Sequence, residues 1–558
     1  MSHQDFVKQF ETVCAQYADK AAITYMRDDG SKTDFTFGEI FQRVRAAKEQ
    51  FAAVGLRPGD RAAVISPHSP FAVFAGVALA YANITSVLID PTLPKPQLNK
   101  LIVTSDLRAI FTIPEIYENR NKECMVDIYA DILVFDLSYE EKEYLLFPES
   151  SKTMLLSATK DLELDVVAIL FSSGTTSEQK GVELTFTAVN ESRSMYNQLS
   201  NLTDIDTGLL TLPFYHVAGF FCFYQFFLCG CGLGFVENMD ASKIAAAFHK
   251  YQPSFFALIP KFYEIVEQKI RQEARKKGAL ANGVFKSMLA TSHFFRKCLG
   301  MNIGRVLLKS IRNKVFGEKI KLLGVGASSC KESNIRFFLD LGVETFANFY
   351  ALTETYVPTV STGVFDRYPA GTEGKVTRFD GIDVKIHAPD ENGVGEIRVK
   401  TVLIMKGYFR DPELTAAAFD GDGYFKTGDL GYIDKKGYLH VTGRMKEAIL
   451  LHTGKKVAPS DVDALYGAVC PNAVMASCGV PGRDESFDEI YMFIERGALS
   501  EKEQQEIKAQ IKAFSARTST LYQVSGIHFI DKLPMTSVGK VKRFQLRETA
   551  LAGSGGKH

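Results

Sequence analysis

Apolar positions alternate along the first two thirds of the chain between helical spacing and short continuous runs. One helical stripe follows Thr36, a candidate helix cap, and consists of Phe37, Ile40, Phe41, Val44 and Phe51. Continuous apolar runs of strand length include RAAVIS, VVAILF, GLLTLPF, SFFALIP and KLLGVGA, and each ends in a polar or glycine-bearing loop. Buried strands that alternate with helices predict an α/β fold, in which ligands bind at the carboxyl ends of the strands.

The pattern changes after about residue 395. The segments GEIRVKTVLIMKGYF and GYIDKKGYLHVTGR alternate apolar and polar residues between glycine turns, which predicts short strands. A helix over EKEQQEIKAQIKAFSA and a strand over GIHFIDKL then predict a smaller α+β unit. Because 558 residues are too many for one compact core, we expect at least two domains.

A run of twenty residues without a charge, VAGFFCFYQFFLCGCGLGFV at positions 217–236, is long enough to cross a bilayer. The glycines of CGCGLG divide this run, and a single apolar span is weak support for a membrane protein. We therefore expect a buried helix followed by a short buried strand.

Overall composition gives no support to several classes of partner and site. Lys plus Arg and Asp plus Glu each number 65, so net charge favours neither nucleic acid nor a membrane surface. The nine cysteines are scattered, with no His or Cys at metal-ligand spacing, so neither a disulfide framework nor a zinc site is predicted. The first residues, MSHQDFVKQFETV, lack the pattern of a signal peptide, and we expect a cytoplasmic protein.

One segment departs from this charge balance. Residues 268–321 contain fourteen Lys or Arg but only two acidic residues, Glu273 and Glu318, among apolar stretches such as FKSMLATSHFF. The favoured interpretation is the solvated faces of several helices. The alternative is peripheral contact with anionic lipid or with a polyanionic substrate tail, because basic amphipathic helices bind such partners.

The stretch FSSGTTSEQKG, residues 171–181, follows the apolar run VVAIL and combines small residues, hydroxyls and one lysine. Small residues let the backbone approach an anion, hydroxyls and amides donate hydrogen bonds, and Lys180 supplies positive charge. The spacing is not that of a Walker loop, because Lys180 precedes Gly181. On this segment alone, a phosphate loop and a polar surface turn both stay open.

Five further motifs place polar residues in a definite order. They are LPFYHVAGF with His216, FYALTET with Tyr350, Thr353 and Glu354, YFKTGDLGYID with Asp429, GRMKEAILLHTGKKVAPSDVDAL with Arg444, and PMTSVGKVKR with Lys540. Each has an ordinary explanation, because a lone histidine is usually a core residue and Gly-Asp is usually a turn. If these motifs do not form a functional site, all five ordinary explanations must be correct at the same time.

In order and spacing, these motifs resemble those of the adenylate-forming (AMP-binding) superfamily, which includes acyl-CoA synthetases, firefly luciferase and peptide-synthetase adenylation domains. The resemblance runs from about residue 20 to 545. The chain departs from the family loop SGTTGxPKG at Ser177 and Gln179, from YGxTE at Ala351, and from a usual proline at Ser328. The resemblance implies a large N-terminal α/β domain of several subdomains, residues 1–443, and a small mobile C-terminal α+β lid domain, residues 444–558.

The resemblance also assigns roles to the residues that match the family motifs. The ATP phosphates are expected at Ser172, Ser173, Gly174, Thr175, Thr176 and Lys180, with Mg²⁺ at Glu354 and the α-phosphate at Thr353. The adenine is expected to stack on Tyr350 against Gly326 and Ala327, and the ribose to bind Asp429 near Arg444. The catalytic set is Lys540, Thr353, Glu354 and His216; the hinge is Lys446, and Gly454 and Lys455 face the site in the thiol step.

The acid and its acceptor are narrower predictions. The family's acyl pocket corresponds here to His216, Val217, Gly219 and Phe220, and the charge-free stretch VAGFFCFYQFF favours an apolar acyl chain. We therefore expect a medium- or long-chain fatty-acid–CoA ligase that uses ATP, Mg²⁺ and CoA. The alternatives are a ligase that loads the phosphopantetheine of an acyl carrier protein, and a non-catalytic nucleotide-binding homologue.

Overall fold

The structure is a computed structural model of the chain. The residues it describes are 2–119, 132–138, 145–146, 164–172, 179–200, 203–236, 241–326, 330–362, 372–376, 381–453, 456–471, 473–482, 487–497, 499–535 and 541–554.

The helices in these ranges are α1 (His3–Gln16), α2 (Phe37–Ala53), α3 (Pro70–Tyr81), α4 (Lys95–Thr104), α5 (Pro114–Glu118), α6 (Phe186–Ser200), α7 (Val217–Leu228), α8 (Ala241–Tyr251), α9 (Pro260–Lys276), α10 (Ala279–Leu299), α11 (Gly304–Leu307), α12 (Lys309–Phe316), α13 (Glu332–Asp340), α14 (Pro412–Ala418), α15 (Pro459–Val469), α16 (Glu501–Ser515) and α17 (Arg543–Ser554).

The strands are β1 (Ala21–Met26), β2 (Lys32–Thr36), β3 (Arg61–Ile65), β4 (Thr85–Ile89), β5 (Ala109–Thr112), β6 (Leu133–Asp136), β7 (Leu145–Leu146), β8 (Val166–Ser172), β9 (Lys180–Thr185), β10 (Thr207–Leu210), β11 (Gly232–Val236), β12 (Phe255–Leu258), β13 (Leu322–Val325), β14 (Thr345–Leu352), β15 (Tyr356–Thr362), β16 (Ile382–His387), β17 (Gly395–Thr401), β18 (Gly407–Tyr408), β19 (Phe425–Ile433), β20 (Leu439–Arg444), β21 (Ile449–Leu450), β22 (Lys456–Val457), β23 (Met475–Pro481), β24 (Asp488–Glu495) and β25 (Val524–Ile530).

The local sequence signals correspond to these elements. The helical stripe predicted after Thr36 is confirmed as α2: the Thr36 hydroxyl accepts the Glu39 backbone N–H at 3.1 Å, and the Glu39 carboxylate accepts the Thr36 N–H at 2.8 Å. This reciprocal pair satisfies two donors that a helix start leaves without partners. The five quoted apolar runs are confirmed as β3, β8, β10, β12 and β13.

Two large mixed sheets form the body of the molecule. The first sheet has the strand order β15-β14-β13-β12-β10-β11-β1-β2, and the second has the order β18-β9-β8-β4-β3-β5-β6-β7. Most inner strands of both sheets are parallel, as in the pair β13–β14 and the pair β4–β8, whereas the inner pair β8–β9 and the edge strands pair antiparallel. The α/β fold class is therefore confirmed.

Helices fill the space between the two large sheets and cover their outer faces. The largest hydrophobic cluster joins α1, α2, α3, α6 and α7 to residues of both sheets, so these helices form a middle layer. A second cluster places α8, α9, α12 and α13 on the outer face of the first sheet, and a third places α4 on the outer face of the second. Both large sheets are thus buried on two sides, which explains why their strands are continuous apolar runs.

The charge-free segment at 217–236 lies inside this middle layer. Its first part is α7, with nearly every side chain buried, and its second part is the buried strand β11. The prediction of a buried helix followed by a short strand is confirmed. Among the described residues, we find no helix with the length and apolarity that a membrane crossing requires.

Smaller sheets follow the two large ones along the chain. The antiparallel order β16-β17-β19-β20 confirms the short strands predicted after about residue 395. The sheet β23-β24-β25 then packs with α15, α16 and α17 in two further hydrophobic clusters, which confirms the smaller α+β unit. The boundary at residues 443 and 444, the hinge at Lys446 and the mobility of this unit stay predictions.

Gly219 illustrates how closely α7 approaches the chain before it. A Cβ atom on this residue would overlap with the carbonyl oxygens of Leu212 and Pro213. Because backbone atoms cannot rotate away as a flexible side chain can, we expect Gly219→Ala to lower the free energy of unfolding by about 1–3 kcal/mol. Urea denaturation followed by circular dichroism measures this change.

Gly467→Ala is the matched control. Gly467 lies in α15 with no atom within 4 Å of an added Cβ, so alanine there should keep or raise the stability of the fold. If the two variants proved equally stable, the close approach of α7 to residues 212 and 213 would be wrong.

Candidate active site

The two ends of the predicted phosphate loop lie opposite each other in the second large sheet. β8 and β9 are antiparallel neighbours, and Ser172 pairs with Lys180 at the end of the ladder. The loop between them therefore begins and ends at one point on the sheet edge. Ser173, Gly174, Thr175 and Thr176 lie outside the described residues.

Lys180 and Glu354 meet around Tyr408. The Tyr408 hydroxyl donates to the Glu354 Oε1 atom at 3.0 Å, and the Lys180 Nζ atom lies 4.9 Å from the centre of the same ring. Burial, with the Glu354 carboxylate as a second cause, raises the pKa of Tyr408, so the hydroxyl stays a neutral donor at physiological pH. The predicted phosphate-binding lysine and the predicted metal ligand thus share one aromatic neighbour.

The backbone holds this arrangement in place. Tyr408 lies in β18, which pairs with β9 and so brings the ring beside Lys180. The Met405 N–H donates to the Glu354 carbonyl at 2.8 Å, and Leu352 pairs with Tyr356 across the turn that carries Thr353 and Glu354. The turn therefore connects the first large sheet to the edge of the second.

Tyr350, Asp429 and Arg444 form a second polar group. The Tyr350 hydroxyl donates to Asp429 Oδ2 at 2.7 Å, and the Arg444 Nε atom lies 3.0 Å from Asp429 Oδ1. Asp429 and Arg444 face each other in the β19–β20 pair, and only 3 % of Asp429 is exposed. A nearly buried carboxylate is thus held by a neutral donor on one oxygen and a cation on the other.

Arg444 links the two polar groups electrostatically. Burial alone would lower the pKa of Arg444, but Asp429, Glu447, Tyr350 and Glu354 together raise it, so the guanidinium stays charged. Gly326, predicted to flank the adenine, directly follows β13, which lies beside the strand that carries Tyr350, and an added Cβ would lie 3.4 Å from the Phe349 carbonyl oxygen. Ala327 lies outside the described residues, and adenine stacking on Tyr350 stays a prediction.

His216 directly precedes α7 and lines a small cavity. Its Nδ1 atom accepts the Ala218 N–H at 3.4 Å, so the side chain caps the helix. The cavity brings together residues of several strand ends: Leu88, Asp90, Leu93, Leu170, Phe171, Gln179, Tyr215, His216, Val217 and Thr353. The structure therefore places the predicted residues His216, Val217 and Thr353 around one space, beside the family departure Gln179.

Gly219 and Phe220, the other two predicted acyl-pocket residues, lie deeper in the middle layer. Phe220 is buried against Phe214 and Tyr224, with ring centres 5.4 and 5.0 Å away. These contacts give both residues a packing function, and their role at an acyl chain stays a prediction.

Three residues of the site were not predicted from the sequence. Tyr408 belongs to no recognised motif, and the pairing of β18 with β9, together with the backbone bond from Met405 to Glu354, brings its hydroxyl to Glu354. Asp90 follows β4 directly and lies next to Tyr215, whose pKa is raised by burial and by that carboxylate. The rule that ligands gather at the carboxyl ends of strands would have identified Asp90 as a candidate.

The segment after Arg444 connects the site to the C-terminal unit. The N–H groups of Glu447 and Ala448 donate to the Arg444 carbonyl, so the predicted hinge residue Lys446 lies in a turn. Arg543, at the start of α17, lies 3.6 Å from Glu447 and 2.6 Å from Asp463. Gly454, Lys455 and Lys540 lie outside the described residues, and their roles stay predictions.

Comparison with known proteins identifies the class of this protein. The model of the family described as "AMP-binding enzyme" matches residues 10–409, and the chain belongs to that family. The resemblance inferred from the motifs is therefore confirmed.

Curated relatives of this chain are named for different acids. A 4-coumarate–CoA ligase-like protein of Arabidopsis thaliana is 25% identical over 96% of this chain and 88% of its own. A long-chain-fatty-acid–CoA ligase of Drosophila melanogaster is 25% identical over 83% of this chain and 72% of its own, and a 2-succinylbenzoate–CoA ligase of Oceanobacillus iheyensis is 21% identical over 95% and 96%.

Solved structures of the same fold include ATP-bound MatB from Rhodopseudomonas palustris, with a TM-score of 0.74, 22% identity and coverage of 98% of this chain and 99% of that one. A MenE structure from Bacillus subtilis, in complex with ATP and magnesium, has a TM-score of 0.72 and 19% identity over 97% and 99%. The fold is therefore that of the adenylate-forming enzymes.

The Asp429–Arg444 pair provides a test of this site geometry. Replacing Arg444 by Met removes the cation from a nearly buried carboxylate, and we expect the free energy of unfolding to fall by about 1–3 kcal/mol. The double variant Asp429→Asn/Arg444→Met should lose less than the sum of the two single variants, because it no longer contains an unpaired charge. Urea denaturation of all four proteins measures the coupling, and strictly additive losses would contradict the contact.

Proposed function

We propose that this protein is an AMP-forming acid–CoA ligase that activates a medium- or long-chain fatty acid. The observation that carries the proposal is the convergence of two polar groups: Lys180 with Tyr408 and Glu354, and Tyr350 with Asp429 and Arg444. The two groups supply a cation, a carboxylate and a buried acceptor, which suit phosphate, a metal ion and ribose hydroxyls respectively. Family membership supports the same reaction class.

The first half-reaction brings two anions together. A carboxylate oxygen of the acid forms a bond to the α-phosphorus of ATP, and the bond from that phosphorus to the pyrophosphate oxygen breaks. Oriented cations and hydrogen-bond donors lower the barrier, because they offset the charge that gathers in the transition state. We assign this role to Lys180 at the β- and γ-phosphates and to Thr353 at the α-phosphate, with Lys540 as the expected partner of the substrate carboxylate.

Asp429 fits the ribose as a fixed acceptor. Its carboxylate is held by Tyr350 and Arg444, so it is oriented before the nucleotide binds. A carboxylate fixed in this way accepts hydrogen bonds from the two ribose hydroxyls with little loss of side-chain freedom. Gly326 at the end of β13 and Tyr350 on β14 form adjacent walls for the base.

Glu354 fits a magnesium ion by its chemistry. Mg²⁺ favours hard oxygen ligands and is commonly held by one or two carboxylates together with substrate phosphates. Glu354 offers such a carboxylate, and the ring of Tyr408 lies between it and Lys180. When bound, the ion neutralises charge on the phosphate oxygens.

The second half-reaction transfers the acyl group. The thiol sulfur of CoA loses its proton and forms a bond to the acyl carbon, and the bond from that carbon to the AMP oxygen breaks, so that AMP leaves. In this proposal the C-terminal unit turns about Lys446 and presents Gly454 and Lys455 to the site. Such an exchange of lids lets one pocket carry out two reactions.

The fatty-acid assignment depends on the walls of the cavity beside His216. Leu88, Leu93, Leu170, Phe171 and Val217 supply the apolar part of this lining, and Asp90, Gln179, Tyr215, His216 and Thr353 supply the polar part. The helix α7, which follows His216, carries no charged residue along its length. An apolar helix of this kind favours a hydrocarbon chain over a second carboxylate or an amine. The fatty-acid–CoA ligase among the relatives agrees with this choice.

One reaction tests the proposal. The protein is incubated with ATP, Mg²⁺, CoA and a mixed pool of carboxylic acids from short to long, and the products are identified by mass spectrometry. We expect acyl-CoA, AMP and pyrophosphate, with medium- or long-chain acids preferred. If acyl-adenylate accumulates without acyl-CoA, the acceptor is the thiol of a carrier protein and not CoA. If no adenylate forms at all, the protein is a non-catalytic homologue.

Tyr356 determines how deep an acyl chain can extend in this proposal. It has a φ of 54°, is buried, and stacks on Phe221 with ring centres 3.9 Å apart, while the side-chain amide of Gln225 lies by its hydroxyl. Val217, Phe221 and Gln225 are spaced by four residues and share one face of α7, so Tyr356 lies further along the helix than the cavity wall.

We therefore expect Tyr356→Gly to shift the preference toward longer acids. Glycine adopts a positive φ without strain, and removing the ring opens space in which each added methylene gains roughly 0.8 kcal/mol. Tyr356→Phe keeps the ring and should keep the parent profile. The measurement is kcat/KM across a series of acid lengths, and identical profiles for Tyr356→Gly and the parent would show that Tyr356 does not limit chain length.

A further inference from the structure

Two neighbouring helices, α10 and α11, present an unusual number of apolar side chains to solvent. We define the α10–α11 face as Leu280, Val284, Phe294, Leu299, Val306 and Leu307. Leu280 is 84% exposed and Val306 is 79% exposed. In the rest of the described chain, exposed large apolar side chains such as Val103, Ile205 and Val474 lie on separate elements, which is ordinary for a folded protein.

The apolar residues of α10 in this face share one side of the helix. Positions 280, 284, 287, 291 and 294 follow steps of four and three residues and form one outward stripe, in which the polar residues Ser287 and Thr291 lie between Val284 and Phe294. Phe285 and Ser292 are buried on the opposite side of the helix, where Phe285 packs with the outer face of the first large sheet. One surface groove is lined by residues of both helices, including Leu280, Val284, Met288 and Leu307.

Positive charge surrounds this apolar face. Residues 268–321 contain fourteen Lys or Arg and two acidic residues. Lys286 and Lys297 are exposed on α10 next to the apolar stripe, and Lys309 is exposed at the start of α12. Two carboxylates nearby pair with arginines: Asp340 with Arg296 at 2.9 Å, and Glu344 with Arg305 at 3.4 Å. These two carboxylates therefore do not neutralise the three lysines.

We propose that the α10–α11 face binds the surface of an anionic lipid bilayer. Apolar side chains would enter the boundary between headgroups and acyl chains, and the flanking lysines would contact anionic headgroups, as in amphipathic helices that lie in the membrane interface. Charge complementarity favours this partner over a second copy of the chain, because two copies would bring the same lysines together. The proposal does not depend on which acid the enzyme activates.

Vesicle flotation tests the proposal. The full-length protein is mixed with vesicles of phosphatidylcholine alone or of phosphatidylcholine with phosphatidylglycerol, and the bound fraction is measured at low and high salt. We expect binding to the anionic vesicles, little binding to the neutral ones, and loss of binding as salt screens the lysines.

Two double variants separate the apolar and the electrostatic contributions. Leu280→Ser/Val284→Ser and Lys286→Glu/Lys297→Glu should each weaken the partition into anionic vesicles by about 10-fold or more. Val103→Ser changes a similarly exposed helical valine elsewhere, and Lys435→Glu/Lys436→Glu makes the same charge change on the β19–β20 hairpin. Both controls should bind as the parent does, and thermal unfolding confirms that every variant is folded.

Three outcomes would overturn the proposal. The first is that the parent protein does not bind anionic vesicles. The second is that the control variants lose as much binding as the two double variants do. The third is self-association of the parent, measured by light scattering, that the Leu280→Ser/Val284→Ser variant abolishes without any vesicle binding by the parent. Because the readout is binding to lipid, these outcomes are independent of whether acyl-CoA is formed.

Discussion

The candidate site depends on the contacts that the carboxylate of Asp429 makes with Tyr350 and Arg444. Tyr350, on the first large sheet, donates to one of its oxygens, and Arg444, at the end of the β19–β20 hairpin, lies against the other. Burying a carboxylate is costly unless it is paired and hydrogen-bonded, so this position keeps both partners in place. The same contact therefore attaches the small antiparallel sheet to the large one and orients the acceptor that we assign to the ribose.

The turn at residues 353–355 performs a similar function between the two large sheets. It extends from β14, and its glutamate meets Tyr408 on β18, a short strand added to the edge of the second sheet. The phosphate-loop lysine begins β9, the neighbour of β18, and so lies beside the same ring. Residues far apart in the sequence thus converge because three sheets end at one place, and not because any one segment contains a complete site.

Two apolar segments of this chain have opposite positions in the fold. The charge-free segment at 217–236 is enclosed between the two large sheets, where a charged side chain would lose its hydration without a partner. The α10 segment is more polar on average, yet one of its faces carries Leu280 and Val284 into solvent beside lysines. Mean hydropathy therefore does not locate the exposed apolar surface; the direction in which each helix face points does.

The fold class, the family and several individual strands and helices could be predicted from the sequence, because the apolar period, helix caps and the order of motifs are local properties. Three features were predictable in this way: the Thr36 cap, the burial of residues 217–236, and the short strands that follow about residue 395. The contact of Tyr408 with Glu354, the proximity of Asp90 to Tyr215, and the exposure of Leu280, Val284 and Phe294 on α10 could be seen only in the folded chain. These contacts join residues separated by many elements, and their distances follow from sheet order and helix packing, which no local pattern contains.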